Sequence, residues 1–368
     1  KLNESKNKQS ILVQSTEMNG VELDVGATAK WQGSSSIAFE KKNYTISMES
    51  KYVLNSDWDV CGKQKKYVLK ANYVDFSFAR NIVAAKLWGE IVKSRKNPGN
   101  TNAENTLKSL PNGGAIDGFP VLVYINDEYQ GLYTLNIPKD KWLFKMDMDG
   151  MEAVIATDSY TDAARFNNVD GVFSEDDIGQ DFTIEELGET FAQEDMVASF
   201  NEMVEFVMNN DGEAFKNGLD EFLDVEAAID YFVFFTALQG EDSWSKNSLF
   251  ITYDGKQWIP SAYDMDGVFG VSDAGTRIAD PSDQTLMNYD EEKMGHQLWN
   301  KLFKNYPEEI AARYHELRSG ILSDAHVYQL FYDYTLDIPK VVLDEEVKIW
   351  KQIPGTQIQT VDQIMNFW

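Results

Sequence analysis

Apolar residues along this 368-residue chain change their spacing once, and that change limits the fold more than any other feature. Before about residue 150 they alternate: Lys42, Tyr44, Ile46 and Met48 share one face of a strand, and Lys41, Asn43, Thr45 and Ser47 take the other. After about residue 185 they recur every three or four positions, as in Met196, Val197, Phe200, Met203, Val204 and Val207. Period two followed by period 3.6 predicts an α+β chain. Residues 1–150 read as a sheet-rich unit, 151–184 as a connecting segment, and 185–368 as a mainly helical unit.

Local signals sharpen that outline. A small-residue turn, Gly33-Ser34-Ser35-Ser36, leads into the strand at 41–48 and predicts a hairpin, while Tyr67 to Ala71 reads as another strand. Phe78, Ile82, Val83 and Leu87 then fall at helical spacing, with Asp75 or Ser77 available to cap. The stretch 94–118, rich in Asn, Gly, Lys and Pro, predicts an exposed loop. Pro120 to Ile125, a turn at Asn126-Asp127-Glu128, and Tyr129 to Leu135 predict a second hairpin. Asp224 caps a helix running to a Gly240 stop, and Asp254-Gly255 joins two β-rich runs. Further helices are expected around 296–299, 309–317 and 325–332. No internal repeat interrupts this order.

Charge removes whole classes of function. With 33 Lys+Arg against 60 Asp+Glu the net charge is −27, and no face basic enough to release counterions from a nucleic acid is expected. An anionic ligand has to be met locally, by a few cations or a metal. The single cysteine, Cys61, cannot form an internal disulfide, and His296, His315 and His326 lack zinc-ligand spacing. No run approaches the roughly 18 apolar residues of a membrane span. Asp147-Met148-Asp149-Gly150 opens like a calcium loop but carries Met151 at the fifth position, and reads as a surface turn. Aromatic residues reach 13%, so some rings beyond those of the core are expected to line a cleft. The chain opens at Lys1-Leu2-Asn3 without a signal peptide, as a mature or trimmed chain would.

One constellation carries chemistry. Asp242 stands five residues before Asn247, a β-hairpin follows, and Tyr263-Asp264-Met265-Asp266-Gly267 comes next. Protein kinases use the same order: an Asp that orients the attacking hydroxyl, an Asn that holds a metal, a hairpin, and a second metal-binding Asp. In so acidic a chain the metal would be needed to admit nucleotide phosphates.

Four motifs in sequence order, from about 30 to 270, resemble the spore-coat-protein-H (CotH) kinase family. They are Gly33 to Ser36 with Lys41-Lys42-Asn43-Tyr44; Ala71-Asn72-Tyr73-Val74-Asp75 with Arg80-Asn81; Tyr124 to Tyr133; and Tyr263 to Gly270. The resemblance implies a bilobed, atypical protein-kinase-like fold that uses ATP with Mg²⁺ or Mn²⁺ to phosphorylate Ser or Thr of secreted or surface proteins. It implies Asp242 as the catalytic Asp, Asn247 as a metal ligand, and Asp264 or Asp266 as the second-loop metal ligand, Asp264 being preferred because it directly follows the strand. Lys41 or Lys42 would meet the phosphates, and Lys70 sits where ordinary kinases keep their ATP lysine. Arg80 is expected to tie its helix to the acidic loop.

The chain departs from the family where a Glu is expected shortly after the Gly-Leu-Tyr strand, since Leu135 is followed by Asn136-Ile137-Pro138-Lys139-Asp140. That leaves a nucleotide-binding pseudoenzyme, or a non-catalytic module with an aromatic platform for a surface partner or glycan, as the alternative to a kinase. A glycoside hydrolase using Glu241 and Asp242 is weaker, because adjacent carboxylates rarely face each other across a sugar. An extracellular or bacterial cell-surface location is expected, with a cell-wall or surface partner.

Overall fold

The computed structural model describes residues 7–16, 22–33, 35–54, 63–96, 101–175, 180–272, 275, 277–278, 295–350 and 360–368. Ser34, within the first predicted turn, and Cys61 lie outside these residues.

Alternation in the first part of the chain yields a six-stranded antiparallel sheet. Its strands are β1 (Gln9–Thr16), β2 (Glu22–Gln32), β3 (Asn43–Tyr52), β4 (Gln64–Lys70), β5 (Gly118–Ile125) and β6 (Glu128–Asn136), in the order β1-β2-β3-β4-β6-β5. Both predicted hairpins are present: Trp31 pairs with Tyr44, and β5 meets β6 through Asn126 and Asp127, whose φ angles of 51° and 64° suit residues that tolerate left-handed backbone. Ala27, Ile46, Met48, Tyr67, Leu69, Tyr133 and Leu135 form the core on one face of this sheet. Because β3 begins only at Asn43, Lys41 and Lys42 precede the pleat, and alternation does not govern where they point.

Helix α1 (Arg80–Ser94) follows, buried along Ile82, Leu87, Trp88 and Ile91. Neither Asp75 nor Ser77 is its N-cap, which is Ala79 without a side-chain cap bond; Asp75 instead accepts from the Arg80 amide at 2.9 Å and, before the helix, from the Ser77 amide at 3.0 Å. The stretch 94–118 departs from expectation, because it contains helix α2 (Thr101–Ser109) rather than only an exposed loop. Ala103 and Leu107, four residues apart, bury against the core together with Ala115 and Ile116, and the polar residues around them had hidden that short apolar stripe.

The segment read as a connector supplies strands. β7 (Ala153–Asp158), β8 (Phe173–Ser174) and β9 (Phe182–Leu187) join β10 (Lys246–Thr252) and β11 (Ile259–Ala262) in a second sheet ordered β11-β10-β7-β9-β8. β7 is buried continuously through Ala153, Val154, Ile155 and Ala156, so it shows no alternation to betray it. Two residue pairs, β12 (Val271–Ser272) and β13 (Arg277–Ile278), form a small ribbon.

The remaining helices are α3 (Gln193–Asn209), α4 (Gly212–Gly218), α5 (Val225–Ala237), α6 (Gln297–Asn305), α7 (Pro307–Arg318), α8 (Asp324–Leu336), α9 (Lys340–Ile349) and α10 (Val361–Phe367); α5 packs on β11, α8 on α1, and α9 on β6 of the first sheet. Asp224 caps α5 by accepting from Ala227 N. The left-handed residue after α5 is Gln239 at φ 55°, one position before the expected Gly240. Trp88, Trp258 and Trp299 are fully buried in this core, and His296 lies among Phe166 and Trp299. Burial there pushes the His296 ring down to about 3, with Arg165 adding to the shift. Among the described residues, no helix is long and apolar enough to cross a membrane.

Candidate active site

A cleft of about 350 Å³ opens between the two sheets. Thr45, Ser47 and Val68 of the first sheet face Thr157, Asn247 and Ser248 of the second, and Pro138-Lys139-Asp140, where the chain leaves β6, borders it. Lys8, Lys30, Lys66, Lys139 and Lys246 line it beside Asp140, Asp158, Glu175, Glu185, Glu186 and Asp264, so the cleft brings five ammoniums into a wall of mixed charge.

The geometry of one wall comes from two backbone irregularities. Asn247 has φ 55°, and the pairing of β10 with β7 shifts register between Lys246 and Ser248, so Asn247 sits in a bulge. Asp264, two residues beyond β11, has φ 52°. Left-handed backbone at a residue with a side chain is uncommon, although Asn and Asp tolerate it best, and such positions gather at functional sites. The bulge turns the Asn247 amide so that it donates to Asp264 O at 3.3 Å and to Asp242 Oδ2 at 3.5 Å.

Asp242 begins a 3₁₀ turn, Asp242–Trp244, that two buried rings hold in place. The Tyr231 hydroxyl on α5 donates to Ser243 O at 2.9 Å, and Trp299 Nε1 on α6 donates to Trp244 O at 2.8 Å. The other oxygen of Asp242, Oδ1, accepts from the Tyr160 hydroxyl.

Lys70, the last residue of β4, reaches across to Asp264 Oδ1 at 2.8 Å. Burial works against its charge, but Asp264, Tyr263 and Asp266 outweigh it and hold the ammonium protonated above its ordinary range. Asp266 is half-buried, and its carboxyl is pushed up to about 8, first by burial and then by Asp264, with Asp242 and Asp75 adding and Lys70 opposing. Arg80, fully buried, donates from Nε to Val268 O at 3.0 Å and pairs with Asp75, so it ties α1 to the acidic loop as expected.

Thus Asp242, Asn247, Asp264, Asp266 and Lys70 come together at one wall. Lys41 and Lys42 have other partners. The Lys41 ammonium is buried against Ala71 O at 3.0 Å, Leu132 O, and Glu346 Oε1 of α9 at 2.6 Å; burial lowers it to about 8 despite Glu346. Lys42 folds back onto Ile37 O at 2.8 Å and Phe39 O, its ammonium 5.0 Å from the centre of the Trp31 ring. The local reason is the late start of β3.

Lys139 was not expected in the cleft. Its ammonium meets Glu185 of β9 at 2.7 Å and lies 4.4 Å from the centre of the Tyr263 ring. It follows Pro138 in the segment where the family Glu is missing, and that departure was the signal that marked this region. Tyr160 gave no sequence signal. Its position follows from the pairing of Asp158 with Lys246, which brings the end of β7 alongside the approach to Asn247. The Asp147–Gly150 stretch is a turn in which Met148 N donates to Glu152 Oε2 at 2.6 Å.

The donor set suits a hard divalent cation. Asp264 and Asp242 both bear on the Asp266 carboxyl, Lys70 pairs with Asp264, and Asp75 is paired with Arg80, so Asp242 and Asp266 add carboxylate oxygens beyond those that nearby cations hold. Among the described residues, no three His, Cys, Asp or Glu side chains make a closed metal cage. Magnesium held by one or two carboxylates and completed by phosphate oxygens needs none.

A family model described as CotH kinase protein matches residues 29–368, extending the resemblance read at 30–270 through the C-terminal helices. None of the curated proteins compared with the chain matches it.

Proposed function

This chain belongs to the CotH kinase family, and from that premise we propose that it is an ATP-dependent protein kinase. In this reading residues 1–150 and 185–368 are the two lobes of a kinase-like arrangement, with the nucleotide in the cleft between the sheets. One observation carries the proposal: a continuous chain of contacts runs from Lys70 through Asp264 and Asn247 to Asp242, and its two central residues, Asp264 and Asn247, line that cleft.

Each residue then has a task. Asp242 accepts the proton of the incoming hydroxyl and orients it. Lys70 positions phosphate oxygens, and Lys246 and Lys139 lower the cost of bringing a polyanion into an acidic protein. Asn247 and Asp264 would hold Mg²⁺ or Mn²⁺, with Asp266 joining once it loses its proton. When bound, the metal neutralises charge on the phosphates. The acceptor is a Ser or Thr of a secreted or surface protein, as the family resemblance implies, and the location extracellular or on a bacterial surface, which acidity and sparse cysteine support. The absent family Glu supports a second reading, a nucleotide-binding pseudokinase.

Thermal denaturation with ATP, with and without Mg²⁺ or Mn²⁺, tests the binding step. A ligand bound only by the native state stabilises by about 2.7 kcal/mol at a hundred times its dissociation constant. Stabilisation by metal and ATP together is the expected result, and no shift at saturating concentrations overturns both readings. Transfer of radiolabelled phosphate to a general acceptor such as casein separates the kinase from the pseudokinase.

A further inference from the structure

Asp242 uses its two oxygens differently. Oδ2 is 3.5 Å from Asn247, whose side chain lines the cleft, and Oδ1 accepts from the Tyr160 hydroxyl. A catalytic carboxylate in phosphoryl transfer meets the acceptor through its hydroxyl, and on Asp242 the oxygen turned away from Asn247 is the one that meets a hydroxyl. Tyr160 therefore occupies the acceptor seat with a hydroxyl of its own.

The seat is built rather than incidental. Ser159 and Thr161, on either side of Tyr160, both donate to Asp181 Oδ1, the first at 3.2 Å. Asp181 is itself moored, accepting from Val172 N at 2.8 Å on Oδ2 and from Asp158 N at 3.0 Å on its carbonyl. Its neighbours thus pin Tyr160 to the second sheet, while its own side chain, about half exposed, reaches out to Asp242. The Lys246 ammonium lies 5.9 Å from the centre of its ring.

Resting on the kinase reading above, we propose that Tyr160 is the protein's first phosphoacceptor, modified within the same chain, and that its phosphorylation frees Asp242 for external substrates. The Tyr160 phenolic oxygen attacks the γ-phosphorus of a nucleoside triphosphate. The bond from that phosphorus to the β,γ-bridging oxygen breaks, the nucleoside diphosphate leaves with the electron pair, and the phenolic proton passes to Asp242 Oδ1. The product carries about −1.5 to −2 charges. Beside Asp242 such a group is repelled, and Lys246 offers it a counter-charge outside the acceptor seat. Until that happens the tyrosine competes with every incoming hydroxyl.

The purified full chain is incubated with radiolabelled ATP and Mg²⁺ over a range of protein concentrations, with and without casein, and modified residues are mapped by mass spectrometry. Phosphate is expected on Tyr160 at a rate independent of protein concentration, and transfer to casein follows a lag that preincubation with ATP and Mg²⁺ abolishes. Tyr160→Phe should lose all phosphate at position 160 and modify casein without the lag. Phosphate on casein, or on Ser and Thr of the chain, with Tyr160 unmodified sinks this inference and leaves the kinase reading standing. A rate at Tyr160 that rises with protein concentration overturns the intramolecular step. Absence of phosphate on every acceptor removes both.

Discussion

Two buried lysine–carboxylate pairs bracket this molecule, and they differ in how completely they are satisfied. Lys41 and Glu346 meet at 2.6 Å with side chains 1% and 0% exposed, and their remaining contacts go to Ala71 O, Leu132 O and, from the second Glu346 oxygen, Leu132 N at 2.8 Å. One cation faces one anion. Lys70 and Asp264 meet at 2.8 Å, but Asp264 is about a quarter exposed, its backbone is left-handed, and Asp266, Asp242 and Asp75 crowd the same region. Equal chemistry thus serves two ends. A closed and balanced pair holds elements together, whereas an unbalanced one opening on a cleft leaves work for a cation.

The contrast breaks most visibly at Asp242. Asp242→Asn is expected to lower the rate of phosphate transfer by about 10²- to 10⁴-fold while ATP affinity stays within a few fold, because the carboxylate acts on the acceptor and not on the nucleotide. Parallel transfer and thermal-shift assays read both. Equal transfer by variant and parent would place the base elsewhere.

Glu346→Ala should act on stability instead. It strands a buried ammonium, at a cost of about 3–5 kcal/mol, whereas Lys41→Met combined with Glu346→Leu should recover most of that, measured by chemical denaturation. If Glu346→Ala unfolds no more easily than the parent and abolishes ATP binding, the two pairs have exchanged roles.

Asp264→Ala is expected to erase the metal-dependent part of ATP stabilisation, about 2.7 kcal/mol at a hundredfold excess over the dissociation constant. A variant stabilised equally with and without Mg²⁺, while the parent is not, agrees with that; a variant that keeps the parent's metal response does not.

The smallest effect is a pH dependence. The Asp266 carboxyl moves from an ordinary value of 3.8 to about 8, so across that range the native state holds a proton that the unfolded chain has released. Its contribution to metal-free stability therefore falls as pH rises from about 4 to about 8. Metal binding should expel the proton, so Mg²⁺ affinity rises through the same interval. Comparing melts of parent and Asp266→Asn at pH 5 and pH 8 isolates the term, and an unchanged difference between the two removes it.

Much of the site was legible because its parts are near neighbours in sequence. Asp242, Asn247 and Asp264 lie at or beside one hairpin, so the hairpin brings them near one another, while the bulge against β7 and the rings of Tyr231 and Trp299 fix their final geometry. The change of period likewise announced both a sheet and a helical half. What stayed hidden depends on distant pairing. β7 is buried on both faces and reads as featureless apolar chain, so the stretch 151–184 reads as a connector, whereas β10 and β11 of the same sheet are legible from their Asp254-Gly255 turn. The stripe of Ala103 and Leu107 is too short to rise above its polar setting. Tyr160 reaches Asp242 only through the register of β7 on β10, and the expected alternation does not govern Lys41 and Lys42 because the strand begins two residues later, at Asn43.

The Lys41–Glu346 pair also bears on the order in which this chain can fold. Its partners stand 305 residues apart, and Gly131, with φ +103°, admits Glu346 so closely that a Cβ there would lie 2.3 Å from Oε2. As the protein is synthesised from its N-terminus, every strand of the first sheet leaves the ribosome long before α9 does. During that interval the Lys41 ammonium has only the carbonyls of Ala71 and Leu132 within its own part of the chain and lacks its anionic partner. The sheet that forms first in synthesis is thus among the last parts to reach its final packing.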